Sequence, residues 1–293
     1  MDDATLGTLR DAAGAAFDVG FAVMVGALAT LALLHDTSSD WAARGALRSR
    51  GLFMRACLLA LAASLAWMAV QSVLLTDLPP LAALAAVVDT AFGHAWAVAT
   101  LALAACAALA HAKRFRPMPV RGLGLGVTVV AAAHADAGHA GANGFGWLLP
   151  TMTVHALATG LWAGAVLAAA LAVWRDVPHP IDGPRCGRRL SRVATAALAA
   201  VVVTGAASAW HGLGGTFAPL VPASGSAWGG LLDAKLALVG LAIGLGAFNR
   251  FAVMPSLPDS SPRFARVLRV EAAVLLAVLV LAAWLANGEP PAV

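Results

Sequence analysis

Long apolar stretches recur along the chain, and short polar connections separate them. About 20 consecutive, mostly apolar residues form a helix long enough to cross the hydrocarbon core of a bilayer, so such stretches predict transmembrane helices. The pattern predicts eight of them, over residues 12–34, 51–75, 88–110, 123–137, 147–174, 190–213, 229–248 and 267–286. We therefore expect an all-α polytopic membrane protein that folds as a bundle of eight transmembrane helices.

The fourth stretch, over residues 123–137, is shorter than a bilayer span. It reaches span length only when the polar residues at its end, His134, Asp136 and His139, are counted with it. We therefore expect these three side chains to lie at membrane depth or at the membrane surface.

Composition places the whole chain in the membrane class. Of its 293 residues, 60% are hydrophobic and 12% are charged, whereas a soluble globular chain carries about 25% charged residues. The N-terminal sequence MDDATLGTLRDAAG has neither the basic segment nor the small-residue cleavage site of a signal peptide. We expect Met1 to begin the flank of the first span, and a single membrane domain to occupy residues 1–293 without a soluble domain.

The basic residues predict how the helices are oriented. All but two of the 19 lysines and arginines lie in four alternate connections, around residues 44–55, 113–121, 175–192 and 250–269. Short connections rich in lysine and arginine stay in the cytoplasm. The chain is therefore predicted to be a multi-pass protein of a bacterial inner membrane with both termini in the periplasm. Its basic charge then reflects cytoplasmic loops and does not indicate nucleic-acid binding.

This topology puts five of the eight histidines in the outer half of the membrane: His94, His134, His139, His155 and His211. Ionisable side chains inside a span are energetically costly, so they are functional candidates by default. Neutral imidazole is a common ligand for copper, zinc, iron and nickel. We therefore predict a metal site on this side, built from these histidines with Asp136. A proton relay or haem ligation would use the same residue types, and the spacing does not decide among them.

Lys235 lies within the seventh predicted span, where its charge requires a carboxylate or a wet cavity nearby. Asp18, Asp136 and Asp233 lie at a similar depth and are its candidate partners. The sequence leaves two interpretations of Lys235, Asp233 and Asp18. They form a structural ion pair, or they take part in gating or in a transport pathway.

Three further residues are candidates for a transport pathway. Met152 precedes His155 by three residues, and its thioether beside imidazoles would favour Cu(I). Glu271 and Asn249 lie in the inner half of the predicted bundle. For Glu271, an ion pair with an arginine at the cytoplasmic end, such as Arg250, is the structural alternative.

Several segments together resemble one known family. VHALATGLWAGAVLAAAL, the preceding AGHAGA, RRLSRVATAALAAVVVTGAASAW, SAWGGLLDAKLALVGLAIGLGAFNRFAVMPSL and LRVEAAVLLAVLVLAAWLANGEPP occur in the order and spacing of the copper resistance protein D (CopD) family. The resemblance covers residues 131–291. Trp228 stands where the family commonly has tyrosine, Asp233 where it has leucine, and Ala163 where it has glycine. His211 belongs to none of the shared motifs.

The resemblance implies a non-enzymatic protein that handles copper, as Cu(I) or Cu(II), and imports it from the periplasm. It makes His139 and His155 the first candidate ligands, and Lys235, Asn249 and Glu271 the family's polar residues of the last two spans. It also implies a separate periplasmic copper-binding partner of the CopC type, because the chain contains no such module.

Two alternatives use the same outer residues. A membrane copper chaperone or sensor would keep the metal site without translocation. A b-type haem redox protein would need paired axial histidines on facing helices, which His94 with His155 or His211 could supply.

Overall fold

The computed structural model describes residues 2–112, 118–138, 146–212, 227–257 and 259–287, and every regular element within these ranges is helical. In chain order the helices are α1 (Asp3–Leu33), α2 (Asp40–Thr76), α3 (Pro80–Val87), α4 (Ala91–Ala112), α5 (Val120–Ala137), α6 (Leu148–Val173), α7 (Asp182–Gly212), α8 (Ala227–Phe248) and α9 (Ser261–Asn287). A π-helical segment, Asn249–Val253, and a 3-10 turn, Met254–Ser256, extend α8. The all-α class predicted from the sequence is confirmed.

Seven helices of the described chain are long and apolar enough to cross a membrane: α1, α2, α4, α6, α7, α8 and α9. The protein is therefore a multi-pass membrane protein. The fourth predicted span corresponds to α5, whose 18 residues cover about 27 Å, slightly less than the hydrocarbon core. Its assignment as an eighth span stays a prediction, as does the periplasmic placement of both termini.

Several helices extend beyond the apolar stretches because their ends are set by capping groups. The Asp2 carboxylate caps α1 by accepting a hydrogen bond from the Thr5 amide at 3.0 Å. The Ser39 hydroxyl caps α2, which begins eleven residues before the predicted start at residue 51. Asp77 ends α2 in the left-handed conformation, with φ of 55°. Hydrophobicity therefore marks the lipid-embedded part of each helix, whereas polar caps mark its ends.

The core of the bundle is formed by α1 and α6. In their most apolar segments 61% and 72% of the residues are buried, compared with 6% in α7 and in α8. At the crossing of α1 and α6, a Cβ added to Gly164 would overlap the carbonyl oxygen of Ala22, and one added to Gly26 would overlap that of Gly164. Glycine at these positions lets the two backbones touch, a device that membrane helices use for close packing.

Two π-helical segments interrupt α6, at Gly160–Gly164 and Ala169–Val173. A π-turn inserts an extra residue into the helical repeat and is often found at functional sites. The first π-turn includes Gly164, the glycine that contacts α1. His155 lies in the α-helical segment that directly precedes this π-turn.

Ion pairs join the connections at the arginine-rich end of the bundle. Asp176, after α6, accepts from Arg48 at 2.8 Å and from Arg44 at 3.1 Å, both on α2. Arg189 of α7 donates to Asp36 at 3.3 Å, just after α1. Hydrogen bonds and charge from Arg48 and Arg44 lower the pKa of Asp176. These contacts hold the ends of α1, α2, α6 and α7 together.

Candidate functional site

The site is built around His155, in the first half of α6. Its Nδ1 atom lies 2.9 Å from the Thr204 hydroxyl on α7. The next residue, Gly205, leaves room for the ring, because a Cβ there would lie 3.3 Å from His155 Cε1. Thr204 therefore holds the imidazole by a hydrogen bond, and Gly205 leaves space for its ring.

The hydrogen bonding of Thr204 determines which nitrogen of His155 carries the proton. The Thr204 hydroxyl has one hydrogen, and it donates this hydrogen to the Ala200 carbonyl at 2.6 Å. Its oxygen then accepts from His155, so Nδ1 carries the hydrogen of the neutral ring. The Nε2 atom keeps its lone pair, which is the state that binds a metal ion.

A methionine lies one turn closer to the N-terminus of α6, on the same face as His155. The Sδ atom of Met152 is 4.0 Å from the Ser208 hydroxyl, and Ser208 lies one turn after Thr204 on α7. Because α6 begins at Leu148, Met152 and His155 are within one helical turn of each other. A thioether and an imidazole therefore face the same strip of α7.

Charged groups from two other helices act on this region. The ammonium group of Lys235, on α8, interacts electrostatically with the carboxylate of Asp18, on α1, and with the imidazole of His155. Among the described residues, Asp18 and Lys235 form no direct ion pair. Of the three carboxylates predicted as partners for Lys235, Asp18 is the one that interacts with it, while Asp233 is exposed.

His134 of α5 lies in an aromatic environment beside α1. Its ring stacks on Phe17 of α1, with centroids 4.3 Å apart, and the ring of Trp67 lies 6.4 Å away. Phe17 directly precedes Asp18 in α1. His134 is thus close to the charged region, and its ring faces are covered by aromatic side chains. The nearby Asp136 is partly buried.

The remaining predicted ligands lie apart from His155 or outside the described residues. His94 is exposed on α4, and His211 is exposed at the end of α7, where it packs edge-on against Trp147 at 5.4 Å. Within the described ranges, no three His, Cys, Asp or Glu residues come close enough together to hold a metal ion. His139 lies outside the described residues, so the convergence of five histidines stays a prediction.

Three hydroxyl residues of the site were missed in the sequence. Thr204 and Ser208 contact His155 and Met152, and the hydroxyl of Thr159, one turn after His155, is buried without a hydrogen-bond partner in the described chain. The spacing of Thr204 and Ser208 in the apolar sequence VVVTGAASAW places both on one helix face, which is the signal that could have identified them.

A second polar region lies between α8 and α9, toward the arginine-rich end of the bundle. Glu271 of α9 is 5% exposed and faces Gly246 of α8, where a Cβ would lie 3.1 Å from its Oε1 atom. Asn249 is 4% exposed. Its amide donates to the Phe264 carbonyl at 3.4 Å, and its Oδ1 atom has no partner among the described residues.

The expected arginine partner of Glu271 has a different contact. Arg250 donates to the Thr195 hydroxyl at 2.8 Å, and Glu271 takes part in no ion pair within the described chain. The structural alternative predicted for Glu271 is therefore not observed there. A buried carboxylate without a cationic partner is unusual inside a membrane span, and it is a candidate functional residue for that reason.

Comparison with protein families relates both halves of the chain to copper resistance. The model for "Copper resistance protein D-like, N-terminal domain" matches residues 1–149, and the model for "Copper resistance protein D" matches residues 184–285. No curated protein and no solved structure is similar enough to the chain to match it. The N-terminal match adds α1 to α4, for which the sequence motifs indicated little beyond membrane spans. His155 lies between the two matched segments.

Proposed function

The chain belongs to the copper resistance protein D family, and from this premise we propose that it imports copper across a bacterial inner membrane, from the periplasm to the cytoplasm. Membership supports a role in copper resistance or homeostasis in a membrane. Copper, as Cu(I) or Cu(II), is the cargo in this proposal and binds first at the outer, histidine-bearing end of the bundle.

The single observation that carries the proposal is the hydrogen bond from His155 Nδ1 to Thr204. It orients the ring and leaves Nε2 free, as in metal sites whose second ligand shell fixes the histidine tautomer. His155 and His139 are the proposed first ligands, with Met152 as a soft ligand that favours Cu(I). His94, His134, Asp136 and His211 are the further candidates from the sequence.

The charges near His155 suggest how cation binding is controlled. In this proposal the ammonium of Lys235 would repel a cation at His155, and a carboxylate at Asp18 would offset this charge. We propose that Lys235 and Asp18 form the gate of the pathway, since moving the ammonium away from His155 would strengthen copper binding there. Asp233 is exposed at the adjacent turn of α8 and would attract copper toward the entrance.

The polar region around Glu271 and Asn249 is the second copper-binding site of the proposed pathway. A copper ion that leaves the histidine site needs oxygen or nitrogen ligands before it reaches the cytoplasm. Glu271 offers a buried carboxylate, and Asn249 offers an amide oxygen without a partner in the described chain. The two regions together favour translocation over a role limited to the outer surface.

The proposed direction of copper transport, from the periplasm to the cytoplasm, implies a periplasmic partner and a defined membrane topology. Copper in the periplasm would arrive on a separate copper-binding protein of the CopC type. The arginine-rich end of the bundle would face the cytoplasm, and both termini would lie in the periplasm. Tags at each terminus that react with a membrane-impermeant reagent in intact spheroplasts would test this orientation.

Copper binding and uptake by the purified protein test the function. We expect the protein to bind copper, with affinity lost in His155→Ala and kept in His179→Ala, an exposed histidine at the opposite end. In sealed vesicles we expect copper to accumulate in the lumen with the wild-type protein and not with His155→Ala.

Three other experimental results would contradict the proposed copper import. Copper binding that depends on His155 without entry into the lumen would identify a chaperone or sensor. A Soret absorption band that His94→Ala abolishes would identify a b-type haem protein. Equal copper affinity of wild type and His155→Ala would show that copper binds elsewhere.

A further inference from the structure

An open groove lies between α8 and α9 on the lipid-facing surface of the bundle. Its volume is about 480 Å³, within the range of about 300–1,000 Å³ of small-molecule sites. Most of its lining is apolar, with Leu238 from α8 and Val270, Ala273 and Ala277 from α9. The two alanines, one turn apart, make a furrow along α9 because their side chains are short. We call this surface the α8–α9 groove.

Two arginines lie at one end of the groove. Arg266 and Arg269 line it, and both are exposed. Neither forms an ion pair in the described part of the chain. The one acidic residue of α9 in that part, Glu271, is buried toward Gly246 of α8. The end of the groove therefore carries two positive charges that the described residues do not neutralise.

The neighbouring residues Arg250 and Arg263 differ from this pair because their guanidinium groups contact other side chains. Arg250 is hydrogen-bonded to Thr195, and Arg263 lies over the ring of Phe248 at 5.1 Å. Arg266 and Arg269 are three residues apart, so both guanidinium groups project from adjacent positions on α9. Such a pair can bind the oxygens of one phosphate, since guanidinium groups form bidentate hydrogen bonds with phosphate.

The groove runs along the axis of α9, with its charged end near the start of the helix. Arg266 lies five residues after the start of α9 at Ser261, and Ala277 is about 16 Å further along the helix axis. Long arginine side chains in the first turns reach the headgroup region, while their stems remain among apolar groups. With α9 across a bilayer, the groove would present two cations that reach toward the headgroups and an apolar furrow beside the acyl chains.

We propose that the α8–α9 groove binds an anionic phospholipid. Its phosphate contacts Arg266 and Arg269, and an acyl chain lies along Val270, Ala273 and Ala277. Basic pockets between transmembrane helices recognise anionic headgroups in this way. A zwitterionic lipid fits the groove less well, because its own cation is repelled by the two arginines. The site is separate from His155, so it is independent of the proposed copper import.

Native mass spectrometry of the detergent-solubilised full chain tests the site. The protein is offered equal amounts of phosphatidylglycerol and phosphatidylcholine with the same acyl chains. We expect selective retention of phosphatidylglycerol, and a loss of about fivefold in selectivity for each arginine replaced in Arg266→Gln and Arg269→Gln. Arg185→Gln/Arg188→Gln is the matched control, since it removes two exposed arginines with the same spacing from α7.

A groove-filling variant separates lipid from simple anion binding. Ala273→Trp keeps both arginines and blocks the furrow, so we expect retention of phosphatidylglycerol to fall. Inorganic phosphate in excess should not displace the lipid. Equal retention of the two lipids by the wild-type protein would overturn the proposal without reference to any variant. Displacement by inorganic phosphate, or full retention in Ala273→Trp, would reduce the site to an anion site and also overturn it.

Discussion

The Nδ1 atom of His155 lies 2.9 Å from Thr204 Oγ1, and Thr204 donates its own hydrogen to Ala200 at 2.6 Å. This chain of two hydrogen bonds holds the imidazole of α6 against α7 in the tautomer that leaves Nε2 unprotonated. It connects a core helix, α6, to a peripheral helix, α7. Any movement of α7 relative to α6 would therefore change the orientation of the candidate ligand.

Replacing Thr204 by valine tests this orientation. Thr204→Val keeps the shape of the side chain and removes the acceptor for His155. We expect copper affinity to fall about tenfold, as for the loss of a second-shell hydrogen bond in other metal sites. Competition with a chelator of known affinity would measure the change. Thr128→Val, an exposed hydroxyl on α5 that bonds only its own helix, is the control, and unchanged affinity in Thr204→Val would contradict the assignment.

Removing the charge of Lys235 should strengthen copper binding and stop uptake. Lys235→Gln takes away the ammonium that acts on His155 and leaves the carboxylate of Asp18. We expect several-fold higher copper affinity and little accumulation in vesicles, while Lys235→Arg keeps the charge and stays near wild type in affinity. Weaker copper binding in Lys235→Gln would show that the lysine supports the site instead of opposing a cation there.

Copper binding should weaken in acid. A histidine ligates in its neutral form, so protons compete with the metal once the pH falls below the pKa of the ligating imidazole. We expect the affinity to decrease about tenfold per pH unit for each ligating histidine, and the pH dependence to become shallower in His155→Ala. Isothermal titration at several pH values measures this slope. A profile that stays flat down to the lowest pH at which the protein remains folded would argue against histidine ligation.

The glycine contact between α1 and α6 should be intolerant of a methyl group. In Gly164→Ala the new Cβ would overlap the carbonyl oxygen of Ala22, so the two core helices must separate. We expect the free energy of unfolding to fall by about 3 kcal/mol, measured by denaturation in detergent. Gly244→Ala, on α8, has nothing within 4 Å of the added Cβ and should be neutral or slightly stabilising. Equal stability of the two variants would contradict the close crossing.

The ion pairs of Asp176 should contribute stability only above acid pH. Arg48 and Arg44 lower its pKa in the folded state, so the contribution is complete above the unfolded pKa of about 3.9 and is lost as the pH falls through the lowered value. We expect Asp176→Asn to be less stable by about 0.5–1 kcal/mol at pH 7. Thermal unfolding should show this difference disappearing at the lowest pH. A difference that persists there would mean that packing, and not charge, is responsible.

Much of the architecture was predictable because membrane helices obey a length and hydropathy rule that acts on each segment separately. The stretch 147–174 was predicted almost to its observed bounds, Leu148–Val173. The start of α2 was missed by eleven residues, since Ser39 caps the helix through a local hydrogen bond that hydropathy does not reflect. The stretch 123–137 was marginal as a span in the sequence, and α5 is marginal in the structure for the same reason, its polar C-terminal turn.

The candidate site was only partly predictable. Histidine and lysine stood out because an ionisable group in an apolar span is unusual, and this singled out His155, Lys235 and Asp18. Thr204 did not stand out, because a hydroxyl can satisfy itself on its own helix, and its contact with His155 depends on how α6 and α7 pack.

Hydropathy and motif order are properties of the chain alone, and they were enough to predict an all-helical, multi-pass membrane protein with copper-resistance motifs. Which helices form the core, where glycine lets α1 touch α6, and which polar groups meet depend on how the helices pack. Asp18, His155 and Lys235 are far apart in sequence, and only the packing of α1, α6 and α8 brings their charges into one region. In a bilayer, polar side chains are stabilised when they contact polar side chains of other helices. Which residues make these contacts depends on the packing of the helices and cannot be derived from each segment separately.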